Sequence, residues 1–266
     1  MSSIKDFILL IPCYNNFDGL VKSVNSVHYP LDKFEILIVD DGSEISITIE
    51  NLKINNSELN IQLIRLEKNQ GIVTALNTGL KAIKNRTDYK YIARLDAGDT
   101  CHPERFTKQV QFLDINPDVF LLGTWCRFEN PITKKGYDYI TKTKHKEIIK
   151  QMHYKCSFIH PTVMFRKKVL ETIGDYPTDY QHAEDYSYFW SIMKIYKTAI
   201  LPQKLVSIEL SGSAVSSVNY RRQIGSRKKI AQKYGTIQRF KFLGILILLI
   251  KLLIPKSIIQ CIKQLN

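Results

Sequence analysis

The sequence predicts an α/β fold: a Rossmann-like central sheet, mostly parallel, flanked by helices and followed by a C-terminal helical extension. Three observations predict it. Over the first hundred residues, short apolar runs alternate with segments of helical periodicity. The runs lack polar alternation, which is the pattern of strands covered on both faces. Three of them stop at turn-forming clusters, where a doubly wound sheet places its ligand loops.

The elements follow in order. Phe7–Ile11 is a strand that stops at Pro12. Leu20, Val21, Val24 and Val27 recur at helical spacing. Phe34–Val39 is a second strand, ended by Asp40-Asp41-Gly42-Ser43, and Ile61–Leu66 a third. Ile72, Ala75, Leu76, Gly79 and Leu80 mark a helix, and Tyr91–Leu95 a strand ended by Asp96-Ala97-Gly98-Asp99. The second half is less regular. Glu104–Leu113 reads as a helix opened by Pro103, Val119–Leu122 as a strand, 130–144 as a polar loop, Pro161–Phe165 as a short strand and Glu184–Ile195 as a helix.

A length of 266 residues with 44% apolar composition suits one large domain or two small ones. It excludes a disordered or fibrous chain. No run of 18 apolar residues is present, which argues against a simple spanning helix. Lys and Arg number 38 against 25 Asp and Glu, a net charge of +13. That balance favours an anionic partner: nucleic acid, a membrane face or a phosphorylated ligand. Five scattered cysteines, an odd number, read as reduced thiols in the cytoplasm. The start of the chain lacks the charged and apolar regions of a cleaved signal peptide.

Acidic clusters at the ligand end of a basic protein make sense with a cation between them. Mg²⁺ commonly joins one or two carboxylates to a ligand's phosphates. Ordinary Asp-Gly turns are the plainer reading of either cluster alone.

Six segments, in order, carry a resemblance: IPCYNN (11–16), ILIVDDGS (36–43), NQGIVTALNTGL (69–80), ARLDAGD (93–99) with PERFTKQ (103–109) after it, HPTVMFR (160–166) and AEDYSYFW (183–190). From about Phe7 to about Leu210 the chain resembles the family 2 inverting glycosyltransferases of surface-polysaccharide or lipopolysaccharide type. The resemblance implies a GT-A fold, with 1–215 as catalytic domain: 1–100 binds the nucleotide sugar and 101–215 holds the acceptor and the catalytic residues. It implies a nucleotide-sugar donor, UDP-linked by family frequency, and a glycan or lipid-linked glycan acceptor.

The implied roles follow residue by residue. Pro12, Tyr14 and Asp41 would cradle the base, Tyr14 by stacking and Asp41 by accepting from a ring N–H. Asn77 would project toward the nucleotide. Arg94 would meet base, ribose or phosphate; an internal ion pair with Asp40 or Asp96 is its alternative. The metal motif departs from the family, since Gly98 stands where a carboxylate usually touches the ion. Asp99 and Asp96 are then the expected metal residues for Mg²⁺ or Mn²⁺, with Asp96 also on the ribose.

Inverting transfer needs one base opposite the leaving group and positive charge on the departing diphosphate. Asp185 is the expected base; a helix N-terminus also favours acids for its dipole alone. Glu184, about 100° round the helix from Asp185, and His160 are expected on the acceptor side or in support. His153, Cys156 and His160 have zinc-like spacing but no fourth ligand at motif distance.

Residues 216–266 form the extension. Arg221, Arg222, Arg227, Lys228, Lys229, Lys233, Arg239 and Lys241 precede an uncharged run, Phe242–Ile250. Basic residues beside a short apolar helix describe a segment lying in a membrane interface; packing on the catalytic domain is the alternative. The expected placement is cytoplasmic, peripheral on the inner face of the membrane, against an anionic surface. Two other functions compete. A nucleic-acid-binding module would explain +13 but not the acidic clusters, so no nucleic-acid partner is expected. A sugar-nucleotide nucleotidyltransferase normally opens with a basic, glycine-rich phosphate loop, which residues 9–22 lack.

Overall fold

The computed structural model describes residues 4–52, 58–210 and 219–253. Its sheet begins with the parallel strands β1 (Lys5–Cys13), β2 (Phe34–Asp40), β3 (Ile61–Arg65) and β4 (Tyr89–Arg94), in spatial order β3-β2-β1-β4. Helices α1 (Phe17–Asn25), α2 (Ile49–Leu52) and α3 (Ile72–Ile83) lie between them in the chain.

The continuous apolar runs are explained by cover on both faces. Ile8 and Leu10 of β1 pack with Ala75, Leu76, Leu80 and Ile83 of α3. Phe7, Leu9 and Ile11, pointing the other way, pack with Leu20 and Val24 of α1. Helix α3 approaches so closely that a Cβ at Gly79 would collide with the Leu10 side chain.

The second half extends the same sheet with mixed pairing. It comprises β5 (Thr100–Cys101), α4 (Arg105–Ile115), β6 (Val119–Glu129), β7 (Gly136–Tyr139), α5 (His145–Met152), β8 (Met164–Arg166), α6 (Lys167–Ile173), α7 (Glu184–Met193) and β9 (Lys197–Glu209). Strand β8 is antiparallel to both β4 and β6, β9 is parallel to β6, and β5 closes the far edge antiparallel to β9. Parallel pairing thus runs through the first four strands and the β6–β9 pair, as expected of a mostly parallel sheet.

Three local expectations are corrected. The 130–144 loop contains β7, which pairs with the end of β6 from Cys126 to Glu129. Residues 160–162 form a 3-10 turn, so the strand expected from Pro161 begins at Met164. Strand β9 had no sequence signal as a unit, because Pro202, Gln203 and Lys204 interrupt it and are exposed. It tolerates them by register shifts against β6 near Trp125.

Two helices end the described chain, α8 (Tyr220–Tyr234) and α9 (Gln238–Leu253). Ile224, Ile230 and Ala231 anchor α8. A Cβ at Gly244 of α9 would collide with the His153 carbonyl, so α9 lies directly on the turn after α5. No helix among the described residues is long and apolar enough to cross a membrane. Cys13, Cys101, Cys126 and Cys156 are buried free thiols.

Candidate active site

The loops after β1, β2 and β4 meet at one end of the sheet and are stitched by asparagines. Asn16 caps α1, its Oδ1 accepting from Gly19 N–H, while its Nδ2 donates to the Ala97 carbonyl at 2.8 Å. The Asn15 N–H donates to Ser43 Oγ (2.9 Å), and Asn15 Oδ1 accepts from Glu44 N–H (2.9 Å). These bonds fix the 14–16 loop against both acidic turns.

Tyr14 stands in the loop after β1 and is 45% exposed. Pro12 is buried in β1, two residues below it. Asp41 is buried and already engaged: Oδ1 accepts from Gln70 N–H (2.8 Å) and Oδ2 from Gly71 N–H (2.9 Å). This holds the start of α3 in place, and each oxygen keeps a lone pair for a further donor. Asp40 instead turns inward to Arg65 (2.6 Å) and Ser43 N–H.

Arg94 resolves to the internal alternative. It is fully buried, donates to Asp96 Oδ1 at 2.6 Å and bonds the Leu10 and Leu95 carbonyls. Its Nε lies 3.4 Å from His160 Nε2. Its donors are engaged within the protein, as in that alternative, and it sets the orientation of Asp96.

His160 is likewise engaged within the protein, as a supporting group would be. Its Nε2 pairs with the Tyr176 hydroxyl at 2.9 Å. Burial, reinforced by the Arg94 charge, pushes its pKa well below the usual imidazole range, so the ring is neutral. It is held inside the protein between Arg94 and Tyr176.

Asn77, expected near the nucleotide, bonds the backbone of Tyr176. Its amide donates to the Tyr176 carbonyl (2.9 Å) and accepts from Tyr176 N–H (2.8 Å). Both polar ends are used, so α3 clamps the 176 segment.

In the DAGD turn the two carboxylates part. Asp96 is one-third exposed. Asp99 is 6% exposed, and its Oδ1 accepts from Glu209 N–H at 3.0 Å. Burial, with Asp96 and Glu209 nearby, pushes the Asp99 pKa well above the carboxylate range. Asp99 is thus the buried acid of the turn, bonded to the end of β9, and Asp96 the more accessible one. Gly98 takes φ +109°, a conformation side chains rarely adopt. No cluster of three or more His, Cys, Asp or Glu that could hold a metal occurs among the described residues. His153 bonds the Ile149 carbonyl and Cys156 the Phe158 carbonyl, so neither is arranged for zinc. The residues present do fit a divalent ion shared with a ligand's phosphates through Asp96 alone, the mode Mg²⁺ favours.

Asp185 and Glu184 open α7. Asp185 accepts from its neighbour's Tyr186 N–H at 2.7 Å. Burial pushes its pKa up; that N–H and the Arg227 guanidinium pull it down, and Asp96 pushes it up again. Beyond burial, the charges of Asp96 and Asp185 both push the Tyr176 pKa up. Glu184 is pushed up to about 7 by burial and by Asp185.

Arg227 was visible in the sequence only as one charge in a basic run. The structure sets it over the Tyr186 ring, 5.0 Å from the centroid, with its charge felt by Asp185. Tyr176, the common partner of Asn77 and His160, gave no sequence signal at all.

Residues 8–174 match the family described as Glycosyl transferase family 2. The amylovoran biosynthesis glycosyltransferase AmsE of Erwinia amylovora is 31% identical over 236 residues, covering 86% of this chain and 84% of that protein. An Escherichia coli UDP-Gal:alpha-D-GlcNAc-diphosphoundecaprenol beta-1,3-galactosyltransferase is 32% identical over 157 residues, 58% of this chain and 54% of that protein. The crystal structure of S. aureus TarS 1-349 in complex with UDP-GlcNAc superposes with a TM-score of 0.65 at 18% identity, covering 90% of this chain and 70% of that one. That likeness shows a shared GT-A fold. An acidic rim on that fold, and a family match over most of the chain, give one conclusion: the chain belongs to glycosyl transferase family 2 and is a glycosyltransferase.

Proposed function

We propose that the protein transfers a sugar from a UDP-sugar to a hydroxyl of a lipid-linked or polysaccharide acceptor in cell-surface glycan synthesis, inverting the anomeric centre in one displacement. The observation that supports this reading is the placing of two acids on the family 2 fold: Asp96, part-exposed and oriented by Arg94 after β4, and Asp185, at the start of α7. One carboxylate serves the donor side and the other the acceptor.

Tyr14 offers a face to the uracil, and Asp41 a lone pair to its N3–H. Asp96, oriented by Arg94, holds the ribose or, with the donor's diphosphate, Mg²⁺ or Mn²⁺. Bound there, the ion would add positive charge to the departing diphosphate. Asp185 takes the proton of the acceptor hydroxyl as that oxygen attacks the anomeric carbon and the diphosphate leaves. A carboxylate whose pKa is raised by burial is a stronger base, which suits a weakly acidic hydroxyl. Glu184, at about 7, supports Asp185 as a partly protonated neighbour.

The acceptor class rests on relatives that carry amylovoran and diphosphoundecaprenol in their names. Incubation with UDP-sugars and a lipid-linked acceptor tests the reaction. UDP release with an inverted anomeric proton coupling is expected. Release of pyrophosphate would favour the nucleotidyltransferase, and retained configuration would overturn the single displacement.

A further inference from the structure

The last two helices present a surface whose chemistry is unlike the rest of the protein. No Asp or Glu follows Glu209. Residues 219–253 carry nine Lys and Arg. Of these, Arg221, Arg222, Lys229, Lys233 and Arg239 are exposed.

Helix α9 is apolar nearly all round: from Phe242 to Leu253 only Lys251 is charged. A helix of that composition is normally covered on every side, by a core or by lipid. Here one face is covered, with Gly244 and Leu248 buried against the domain. The opposite side is bare: Phe242 is 72% exposed, Leu253 84%, and Leu243, Leu246, Leu249 and Ile250 each above 40%. Gly244 against the His153 carbonyl and the Ile237 N–H on His153 Nε2 fix which way the helix faces. The exposed stripe is thus a built feature of a docked helix.

We infer that this stripe is a lipid-docking surface for an anionic bilayer, with the exposed cations of α8 and α9 on the head groups. The length supports lying on the membrane: 16 helical residues span about 24 Å, short of a hydrocarbon core about 30 Å thick. Charge decides the occupant. A second copy would bring two acid-free, strongly basic surfaces together, which like charges oppose, whereas anionic lipid complements them. Deepening the acceptor reading above and resting on it, the surface also explains delivery. Helix α8, whose Arg227 packs over the ring of Tyr186, the residue after Asp185 in α7, leads directly into α9, so a lipid-linked sugar held in the same bilayer would lie on the side of the domain that carries α7.

Co-sedimentation of the full chain with vesicles tests it. Vesicles of equal phosphatidylcholine and phosphatidylglycerol should bind the protein, and phosphatidylcholine alone should bind it far more weakly. Removing the cations Arg221, Arg222 and Lys229 should weaken binding by about fivefold for each charge. The pair Leu246→Glu and Leu249→Glu should abolish binding while leaving the melting temperature, and transfer to a water-soluble acceptor, unchanged. Equal binding to neutral vesicles, or none to anionic ones, overturns the proposal. So does a stable dimer in solution that the Leu246→Glu and Leu249→Glu pair dissociates. Vesicle binding without sugar transfer to any acceptor would leave this surface standing and remove the proposed function instead.

Discussion

Asn77 and Tyr176 exchange two hydrogen bonds between a side-chain amide and a backbone, at 2.9 and 2.8 Å. Tyr176 then pairs with His160, which lies on Arg94, which orients Asp96. A helix from the donor half is thereby connected to the carboxylate expected to meet the donor's ribose or metal.

Asn77→Ala should therefore act on stability. Losing both bonds leaves the Tyr176 backbone groups unpaired and costs about 1–3 kcal/mol. Thermal unfolding should show a lowered melting temperature. Calorimetry should show UDP affinity reduced only in proportion to the unfolded fraction. A large loss of UDP affinity in a fully folded variant would restore the direct contact.

Asp96→Asn and Asp99→Asn separate the two acids of the turn. Asp99 is buried and its Oδ1 accepts from Glu209 N–H, a bond that an Asn Oδ1 can keep. Its variant should keep the increase in melting temperature that UDP and Mn²⁺ produce together. Asp96→Asn should lose that increase, because it removes the exposed carboxylate.

Asp185→Asn should lower kcat by about 10²–10⁴-fold, the usual contribution of a positioned base. UDP binding should change little. Arg227→Ala removes a cation that holds the Asp185 pKa down. A base must be ionised to act, so the acid limb of the kcat profile should move to higher pH. Arg227→Lys should move it back, a response that a purely structural arginine would not give.

Glu184 links activity and stability to pH. Its folded pKa, raised to about 7, lies above its unfolded value. The neutral carboxyl is thus favoured by folding, and that stability is lost as pH rises from the ordinary glutamate range through 7. Glu184→Gln should raise the melting temperature at pH 8 and have little effect near pH 4.5. Removing its charge should also shift the acid limb of Asp185 to lower pH.

The first four strands were legible because each is a short apolar run flanked by turn residues, and cover by α1 and α3 on the two faces explains the lack of alternation. Strand β9 was not legible, since Pro202 and exposed polar residues break its pattern and only pairing with β6 holds it extended. The same division runs through the candidate site. The acidic turns were legible as Asp-Gly clusters that end strands, and Asp185 was singled out by the resemblance of its segment to the family.

Which way each side chain points was decided by tertiary packing. Arg94, His160 and Asn77 carry chemistry that could serve a ligand, yet each finds a partner inside the protein. Asp99 turns under Glu209, while Asp96, three residues away, stays at the surface. A one-dimensional pattern records which groups are available, but the cost of burying an unpaired polar group selects which of them remain free.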